Sequence, residues 1–312
     1  MVLSLFFAAH VFAAAELRRA RDLIVFHAGS LSVPVKQMVV AFKKGHPDVN
    51  IILESAGSRT CARKISDLHK PCDVFASADY TVIDSLLIPE HAGWAIKFAS
   101  NEMAIVYHDA SRKSREINSH NWHEILLDEG VAVGRSDPDS DPCGYRAVLT
   151  MKLAEKYYQK GGLADRLIRK KNTHIRPKET DLLALLEAGE IDYIFLYRSV
   201  AEQHGLKYLA LPDEINLKNP QMESLYGTVT TTLAGETPGT TIEQRGEAMV
   251  YGVTIPRSAP NPGLALSFVS FMLEKEKGLK IMEQHGQPPV VPMFTPTFKA
   301  IPEELKKYAK EK

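Results

Sequence analysis

Four short segments combine small or polar residues with the start of a helix, and together they have the chemistry of an anion-binding site. Each follows a run of residues that is typical of a strand. A helix N-terminus presents unpaired backbone N–H groups and the positive end of the helix dipole, so a cleft that collects several of them attracts anions. The segments are HAGSLS at 27–32, SAGSRT at 55–60, SDPCGYR at 140–146 and RPKETD at 176–181.

Ser30 and Ser58 add hydroxyl groups to the first two segments. Each lies beside a glycine, which lets the backbone approach a ligand closely, and each hydroxyl can donate a hydrogen bond. Either serine alone would most simply be a helix cap. Because the two occupy matching positions after consecutive strands, ligand binding becomes the favoured interpretation.

Asp141 and Glu179 place carboxylates in the third and fourth segments, where an anion would have to bind. Asp141 precedes Pro142, as a helix cap often does, and Glu179 could be a first-turn acid that favours the helix dipole. An anion 4 Å from one carboxylate is repelled by about 4 kcal/mol at an effective dielectric constant of about 20. A receptor for simple phosphate or sulfate should therefore avoid this arrangement.

The elements that would position these segments alternate between strand and helix. The runs DLIVFHA, VNIILESA and CDVFASAD predict strands, and the helices between them are predicted at LSVPVKQMVVAFKKGHP and RTCARKISDL. A second series begins near Asn101, with strands at EMAIVYH, VAVGRS and IDYIFLYRS and helices after Asp141 and over IRPKETDLLALLEAG. Such alternation predicts an α/β fold with mostly parallel sheets.

The 312 residues are enough for two lobes. Strands at 103–107 and 249–255 are natural crossovers, so the first lobe is predicted to be discontinuous. We expect lobe I at 22–102 and 253–312 and lobe II at 103–252. In such sheets ligands bind outside the carboxyl ends of the strands, which predicts a ligand cleft between the lobes.

The composition favours a small ligand and an exported protein. Lysine plus arginine and aspartate plus glutamate are equal at 38 each, so no nucleic-acid partner is expected. Residues 1–21 form a signal-like segment, of which the first fifteen are apolar and end in small residues before ELRRARD, although a basic start is missing. The alternative is a buried or disordered N-terminus. No later stretch is long and apolar enough to cross a bilayer.

The three cysteines do not predict a metal site, because none forms a CxxC pair with a matching second pair. Cys61 and Cys72 could form a disulfide. Since Cys61 lies within a predicted helix, buried thiols are the favoured interpretation.

Longer motifs extend from about residue 22 to about residue 295. The most specific are DPCGYR, RPKETDLL and DYIFLYRSVAEQHG, accompanied by FHAGSLS, ESAGSRTCARKI, DVFASADY, LALPDEINL and YGVTIP. Through these motifs the chain resembles the archaeal-type molybdate/tungstate-binding proteins of ABC importers. The resemblance implies the two-lobed periplasmic-binding-protein type II-like fold, which matches the lobes expected above.

The resemblance also implies a role for each candidate residue. Asp141 and Glu179 would coordinate the metal centre of tungstate or molybdate in six-coordinate geometry. Hydrogen bonds to the oxyanion would come from Ser30, Ser58, Cys143 (backbone N–H only) and Tyr197. No cofactor and no catalysis are implied, and the partners would be a membrane permease and its ATPase. We expect an exported monomer, with membrane association left open.

Arg59 and Arg146 could also contact the anion, but pairing with acidic side chains is the favoured interpretation. Three other functions compete with oxyanion transport. A sulfate receptor is disfavoured by the two carboxylates. An enzyme could use Cys143 with Arg146, or a metal held by the aspartates of DPDSD at 137–141, although Pro142 and the missing glycine and glutamate break the calcium-loop pattern. A transcription regulator would need a helix-turn-helix ahead of residue 22.

Overall fold

The computed structural model describes residues 22–235, 237 and 239–311. The signal-like segment predicted at 1–21 lies outside the described residues. Within them the secondary structure is α/β, as predicted, and its two largest sheets have five strands each. No helix of the described residues is long and apolar enough to span a membrane.

The first sheet is built mainly from the N-terminal part of the chain. Its strands are β1 (Asp22–Ala28), β2 (Asn50–Ala56), β3 (Val74–Ser77), β4 (Ile96–Ser100) and β12 (Val250–Thr254). They lie in the order β2-β1-β3-β12-β4, with β2 and β3 parallel to β1 and with β12 antiparallel to both neighbours. The carboxyl ends of β1, β2 and β3 therefore meet at one edge.

The second sheet repeats this arrangement. Its strands are β5 (Met103–Tyr107), β6 (Val133–Ser136), β7 (Thr173–Arg176), β8 (Tyr193–Tyr197) and β9 (Lys207–Ala210). They lie in the order β7-β6-β8-β5-β9, where β6 is parallel to β7 and β8, and β5 is antiparallel to β8 and β9. In both sheets the antiparallel strand adjoins a chain crossover.

Two crossovers connect the sheets. The chain leaves β4 through Asn101 and Glu102 and enters β5 directly, and it returns to the first sheet with β12. The register already pairs Val250 with Ser100, so the first sheet includes residues before the predicted boundary at 252/253. The division into lobes at that boundary remains a prediction.

Helices connect most of the strands. The α-helices of the described residues are α1 (Ser32–Phe42), α2 (Ser58–Ser66), α3 (Tyr80–Leu86), α4 (Trp122–Leu127), α5 (Pro142–Tyr157), α6 (Leu163–Ile168), α7 (Leu182–Glu187), α8 (Arg198–Gln203), α9 (Glu223–Tyr226), α10 (Pro262–Leu273) and α11 (Lys280–Gln284). One π-helical turn occupies Lys275–Leu279. Segments of 3-10 helix occupy Gly29–Leu31, Glu179–Asp181, Pro220–Met222, Phe298–Ala300 and Glu303–Tyr308. Pro142 begins α5 because a proline at the first helical position removes only an N–H that has no helical partner.

One predicted helix is divided in the structure. The run IRPKETDLLALLEAG contains the end of β7, a 3-10 turn at Glu179–Asp181 and the short helix α7. Pro177 explains the break, because the residue before a proline is disfavoured in the α conformation, and Arg176 is accordingly the last residue of a strand. The prediction of one continuous helix was wrong, and the loop that results carries Glu179.

Two further strand pairs were not predicted. The strands β10 (Thr230–Ala234) and β11 (Thr241–Arg245) form an antiparallel hairpin, and β13 (Met293–Phe294) pairs with β14 (Ala309–Lys310). The residues of β11 alternate between exposed and half-buried positions. A polar strand of this kind lacks the apolar run that identifies a buried strand.

The central strands form the core. Every residue of β3, β8 and β12 is buried, which is why these strands appear in the sequence as continuous apolar runs. Cys61, Cys72 and Cys143 are free and buried. The favoured interpretation of buried thiols is therefore confirmed, and no disulfide joins Cys61 to Cys72.

Candidate functional site

The four segments predicted to bind an anion meet between the two sheets. The Thr60 N–H donates to the Ser140 carbonyl oxygen at 3.2 Å across this junction. A Cβ atom on Gly57 would lie only 2.3 Å from the same oxygen, and a Cβ atom on Gly29 would lie 2.7 Å from Glu179 Oε2. At Gly57 the obstacle is backbone, so no side chain would fit, whereas at Gly29 a side chain would have to displace the Glu179 carboxyl group.

Asp141 connects the third segment to the fourth. It caps α5, where its Oδ1 atom accepts a hydrogen bond from the Cys143 N–H at 3.1 Å. Its Oδ2 atom accepts one from the Glu179 N–H at 2.8 Å. The capping interpretation that the sequence left open is confirmed. It does not prevent a second role, because each carboxylate oxygen keeps a further lone pair.

Glu179 is the unusual group of the site. Its side chain is enclosed, with 1% of the residue exposed, and it faces no cationic side chain of the described residues in an ion pair. The Asp141 carboxyl group and the Ser30 backbone lie beside it, but neither carboxyl oxygen makes a well-aligned hydrogen bond to the described residues. Buried polar atoms are normally paired, so two unpaired oxygens on one side chain call for an explanation. A bound group that interacts with them would provide one.

Electrostatics make the two carboxyl groups a poor pair. Burial raises the pKa of Glu179 well above its usual range, the charge of Asp141 raises it further, and nearby backbone N–H groups offset only part of the rise. Burial also raises the pKa of Asp141, against hydrogen bonds that favour its ionised form. Two buried neighbouring carboxyl groups therefore resist carrying their charges together.

The serine hydroxyls are oriented as donors. Ser58 Oγ accepts a hydrogen bond from the Ala78 N–H at 3.0 Å, and Ser30 Oγ accepts one from the Tyr251 hydroxyl at 3.1 Å. Both serines are buried. In each of these bonds the serine oxygen is the acceptor, so the bond does not use the hydroxyl proton. Each hydroxyl therefore retains a proton to donate to a ligand.

Tyr197 is oriented by the same principle. Arg146 Nη1 donates to the Tyr197 hydroxyl oxygen at 3.1 Å, and an arginine can only donate. The other guanidinium nitrogen, Nη2, lies 2.8 Å from Asp79 Oδ2. Arg146 thus pairs with an acid, as the sequence interpretation favoured. Tyr145 adds a hydrogen bond to Asp79 Oδ2 at 2.7 Å.

Arg59 does not pair with an acidic side chain of the described residues, contrary to the expectation from the sequence. Its guanidinium is buried and donates to the carbonyl oxygens of Asp139, at 3.2 Å, and of Ala234. Ala234 ends β10, and its N–H donates to the Asp139 carboxylate at 2.7 Å. The hairpin of β10 and β11 therefore contacts α2 and Asp139, which precedes the third segment, and it provides a hydrogen-bond acceptor for Arg59.

Cys143 does not have the surroundings of a nucleophile. Burial raises the pKa of its thiol well above the usual range, and the neighbouring charges of Asp141 and Glu179 raise it further. Its backbone N–H, which the resemblance assigns to the anion, donates to Asp141 in this structure. That assignment remains a prediction.

The acidic DPDSD segment does not form a cation site. Asp137 accepts hydrogen bonds from the Asp139 N–H at 3.1 Å and the Ser140 hydroxyl at 2.9 Å, while Asp139 is bonded to Ala234. No group of three or more His, Cys, Asp or Glu side chains in the described residues is arranged to hold a metal ion.

Several residues that support the site were not predicted. Asp79 lies in the motif DVFASADY, but the sequence indicates only that it could cap α3, which it does through the Thr81 N–H at 2.9 Å. Tyr145 and Tyr251 lie within apolar runs, where an aromatic residue is usually part of the core. No local pattern in the sequence distinguishes their hydrogen-bonding roles.

Comparison with known sequences gives consistent matches over most of the chain. Residues 23–287 match the family model described as bacterial extracellular solute-binding protein. An uncharacterized solute-binding protein of Petrotoga mobilis is 49% identical over 290 residues, covering 93% of this chain and 90% of that protein. Molybdate/tungstate-binding protein WtpA of Thermococcus kodakarensis is 42% identical over 316 residues, covering 91% and 86%.

Solved structures show the same fold at low sequence identity. The periplasmic molybdate-binding protein of Azotobacter vinelandii matches with a TM-score of 0.64 at 17% identity, over 86% of this chain and 99% of that one. The sulfate-binding protein SubI of Mycobacterium tuberculosis matches with a TM-score of 0.63 at 16% identity, over 86% and 87%. The expected two-lobed periplasmic-binding-protein fold is confirmed.

Proposed function

Since the chain belongs to the bacterial extracellular solute-binding protein family, we propose that it captures tungstate or molybdate between its lobes for an ABC importer. Relatives from Thermococcus kodakarensis and Pyrococcus abyssi, 42% and 41% identical to it, are named molybdate/tungstate-binding proteins. The proposal includes no catalysed reaction and no cofactor.

The buried carboxyl group of Glu179, which has a second carboxyl group and no cationic side chain of the described residues beside it, carries the proposal. It is buried beside Asp141, and the four predicted segments surround the pair. A receptor that only donates hydrogen bonds to a tetrahedral anion gains nothing from such a pair, since each carboxylate would repel the anion by about 4 kcal/mol at 4 Å and an effective dielectric constant of about 20.

A ligand with a metal centre removes the conflict. Tungsten(VI) and molybdenum(VI) are large Lewis acids that can expand their coordination, whereas the sulfur of sulfate and the phosphorus of phosphate are not expected to do so. Asp141 and Glu179 would bond to the metal and complete a six-coordinate centre. The same carboxylates would repel sulfate and phosphate, so one pair of side chains would both attract the cargo and reject its competitors.

The hydrogen-bond donors would hold the oxygens of the anion. The hydroxyls of Ser30, Ser58 and Tyr197 each accept a hydrogen bond from a protein donor and keep a proton for the ligand. The Cys143 N–H would be a further donor once Asp141 turns toward the metal. Ligand contacts from both lobes would stabilise the closed state.

Membership of the family supports a proposal for the location and the partners of the protein. We propose that the protein acts outside the cytoplasmic membrane as a monomer and delivers its ligand to a membrane permease driven by an ATPase. Lobe I would comprise residues 22–102 and 253–312, and lobe II residues 103–252.

Calorimetric titration with tungstate, molybdate and sulfate tests the proposal. We expect the first two to bind and sulfate to show negligible binding. Asp141→Ala and Glu179→Ala should each lower tungstate affinity by roughly a thousandfold, as expected when a buried charged partner worth about 4 kcal/mol is removed. Glu187→Ala, at an exposed position on α7, is the matched control and should bind normally. Strong sulfate binding, or full affinity in either carboxylate variant, would contradict the proposal.

A further inference from the structure

Tyr251, on the strand that returns to the first sheet, is the centre of a buried hydrogen-bond network. Its hydroxyl oxygen lies 2.8 Å from Asn101 Nδ2, 3.2 Å from Gln287 Nε2 and 3.1 Å from Ser30 Oγ. All four residues are buried. We call these four residues the hinge network, because Asn101 lies in the first crossover between the sheets and Tyr251 adjoins the second.

The orientation of both amide groups is determined by backbone neighbours. Asn101 Oδ1 accepts a hydrogen bond from the Glu102 N–H at 2.9 Å, so its NH2 group must face Tyr251. Gln287 Nε2 donates to the Ser30 carbonyl oxygen at 2.9 Å, and a carbonyl can only accept. Reversing either amide would place two acceptors or two donors against each other.

The direction of the remaining hydrogen bond follows. Two amide donors occupy the lone pairs of the Tyr251 hydroxyl, so its single proton must be donated to Ser30 Oγ. Ser30 Oγ is thereby an acceptor inside the protein, and its own proton is available to the cleft. Chains of hydrogen bonds also polarise one another, which makes the last hydroxyl a better donor.

From this geometry we propose that Tyr251 is a positioning residue, which forces the Ser30 hydroxyl to act as a donor to the bound oxyanion. The inference rests on the proposed function, because it assigns the Ser30 proton to that ligand. It adds a specific consequence: the donor at Ser30 depends on Asn101 and Gln287, two residues that do not belong to the four predicted segments.

The network also connects the site to the second lobe. Asn101 Nδ2 donates to Ser199 Oγ at 2.7 Å as well as to Tyr251, and Ser199 belongs to α8, which follows β8. Asn101, which helps to orient the Ser30 hydroxyl through Tyr251, is therefore itself held by a residue that follows a strand of the second sheet.

A double-mutant cycle on tungstate affinity tests the assignment. Tyr251→Phe keeps the ring and removes the hydroxyl, and it should weaken tungstate binding roughly tenfold, the usual effect of losing one well-placed hydrogen bond. In a chain that already carries Ser30→Ala, the same change should weaken binding less than twofold, because no hydroxyl remains at position 30 to be oriented. A purely structural role would produce the same loss in both backgrounds.

Tyr193→Phe is the matched control. Tyr193 is a buried tyrosine at the opposite end of β8 from Tyr197, and its hydroxyl donates to the Arg112 carbonyl oxygen. This variant should lower the melting temperature without changing affinity.

If Tyr251→Phe does not fold, Gln287→Met takes its place in the cycle, because it removes one of the two donors that direct the Tyr251 proton to Ser30. It should weaken tungstate binding when Ser30 is present and have little effect in the Ser30→Ala background, and an equal loss in both would overturn the role of Tyr251.

Each outcome gives a decision. Normal affinity in Tyr251→Phe, or an equal loss with and without Ser30→Ala, would overturn the role of Tyr251 while leaving the proposed function intact, provided that the wild-type chain binds tungstate. If the wild-type chain bound neither tungstate nor molybdate, the proposed function would be wrong and the role of Tyr251 would be rejected with it.

Discussion

Glu179 and Asp79 are both buried where the two sheets meet, but only Asp79 has partners that stabilise its negative charge. Asp79 receives a hydrogen bond from Tyr145 at 2.7 Å and an ion pair from Arg146 at 2.8 Å. Glu179 has no cationic partner and no well-aligned hydrogen bond among the described residues, and its neighbour is a second carboxyl group, that of Asp141. A paired buried charge can be stable, whereas an unpaired one is strongly unfavourable.

The difference separates two tasks in one interface. Asp79 follows β3 of the first sheet and Arg146 lies on α5 beside the second, so their ion pair favours contact between the lobes even without a ligand. Glu179 lies against Gly29 of the first sheet, so the same contact buries its carboxyl group. If the proposed function holds, one carboxylate would favour closure and the other would oppose it until a ligand binds. Such opposition would keep the ligand-free protein open and make closure depend on the cargo.

Apart from loss of Asp141 or Glu179 itself, hindering contact between the lobes should have the largest effect, because it weakens the closed state that both Asp79 and Glu179 influence. Gly57→Ala places a Cβ atom 2.3 Å from the Ser140 carbonyl oxygen, a backbone atom of the opposite lobe. We expect tungstate affinity to fall by about 3 kcal/mol, roughly a hundredfold, as measured by calorimetry. Adding Asp79→Asn to this variant should change affinity little further.

The matched control for this steric change is Gly263→Ala, because a Cβ atom at Gly263 would meet no atom within 4 Å. It should bind tungstate normally. If Gly57→Ala also bound normally, the lobes could not approach as closely during binding as the structure shows.

Removing the ion pair of Asp79 with Arg146 should have a smaller effect. Asp79→Asn removes the charge that balances Arg146 in the closed state, and we expect about 2 kcal/mol, or roughly thirtyfold, weaker tungstate binding through faster dissociation. Small-angle X-ray scattering without ligand should show a more open protein for Asp79→Asn and a more compact one for Glu179→Gln.

Asp48→Asn, at an exposed position, is the control for loss of one negative charge. It should leave both affinity and scattering unchanged. A shift of Asp79→Asn and Glu179→Gln in the same direction would show that the two carboxylates do not oppose each other in closure.

The smallest expected effect concerns Glu247, which lies near Asp79 and accepts a hydrogen bond from the Tyr80 hydroxyl at 3.1 Å. Burial and the charge of Asp79 raise its pKa to about 7. In the unfolded chain a glutamate ionises near pH 4.3, so the folded protein binds the extra proton between these values. Stability should therefore fall as the pH rises from about 4.5 to 7 and stay reduced above it.

Glu247→Gln removes this pH dependence. Urea unfolding should show the variant to be about 1–2 kcal/mol more stable than wild type at pH 8 and equal to it at pH 4.5. This difference is smaller than the pKa shift alone would give, because the side chain is partly exposed and solvent screens its charge. Glu243→Gln, an exposed control on β11, should show no such difference. An equal gain at both pH values would exclude ionisation as the cause.

Much of the fold could be predicted, and the exceptions have physical causes. Buried strands such as β8 are continuous apolar runs, and a proline behind a capping acid identifies the start of α5, so both were predicted correctly. The hairpin of β10 and β11 was missed because its exposed and half-buried residues need not be apolar. The division of the predicted helix at Pro177 was missed as well, although the proline itself was a usable signal.

The sequence by itself determined which residues could form the site, because strand ends, glycines, caps and acids are local features of a chain. It also determined the family, through motifs spread over most of its length. Only the tertiary structure decided how each polar group is used. The hydrogen bond from Tyr251 to Ser30 joins residues 221 positions apart, and the ion pair of Arg146 with Asp79 also joins distant segments. Whether a buried carboxylate is paired or left open depends on neighbours brought by folding, and local sequence patterns cannot reveal them.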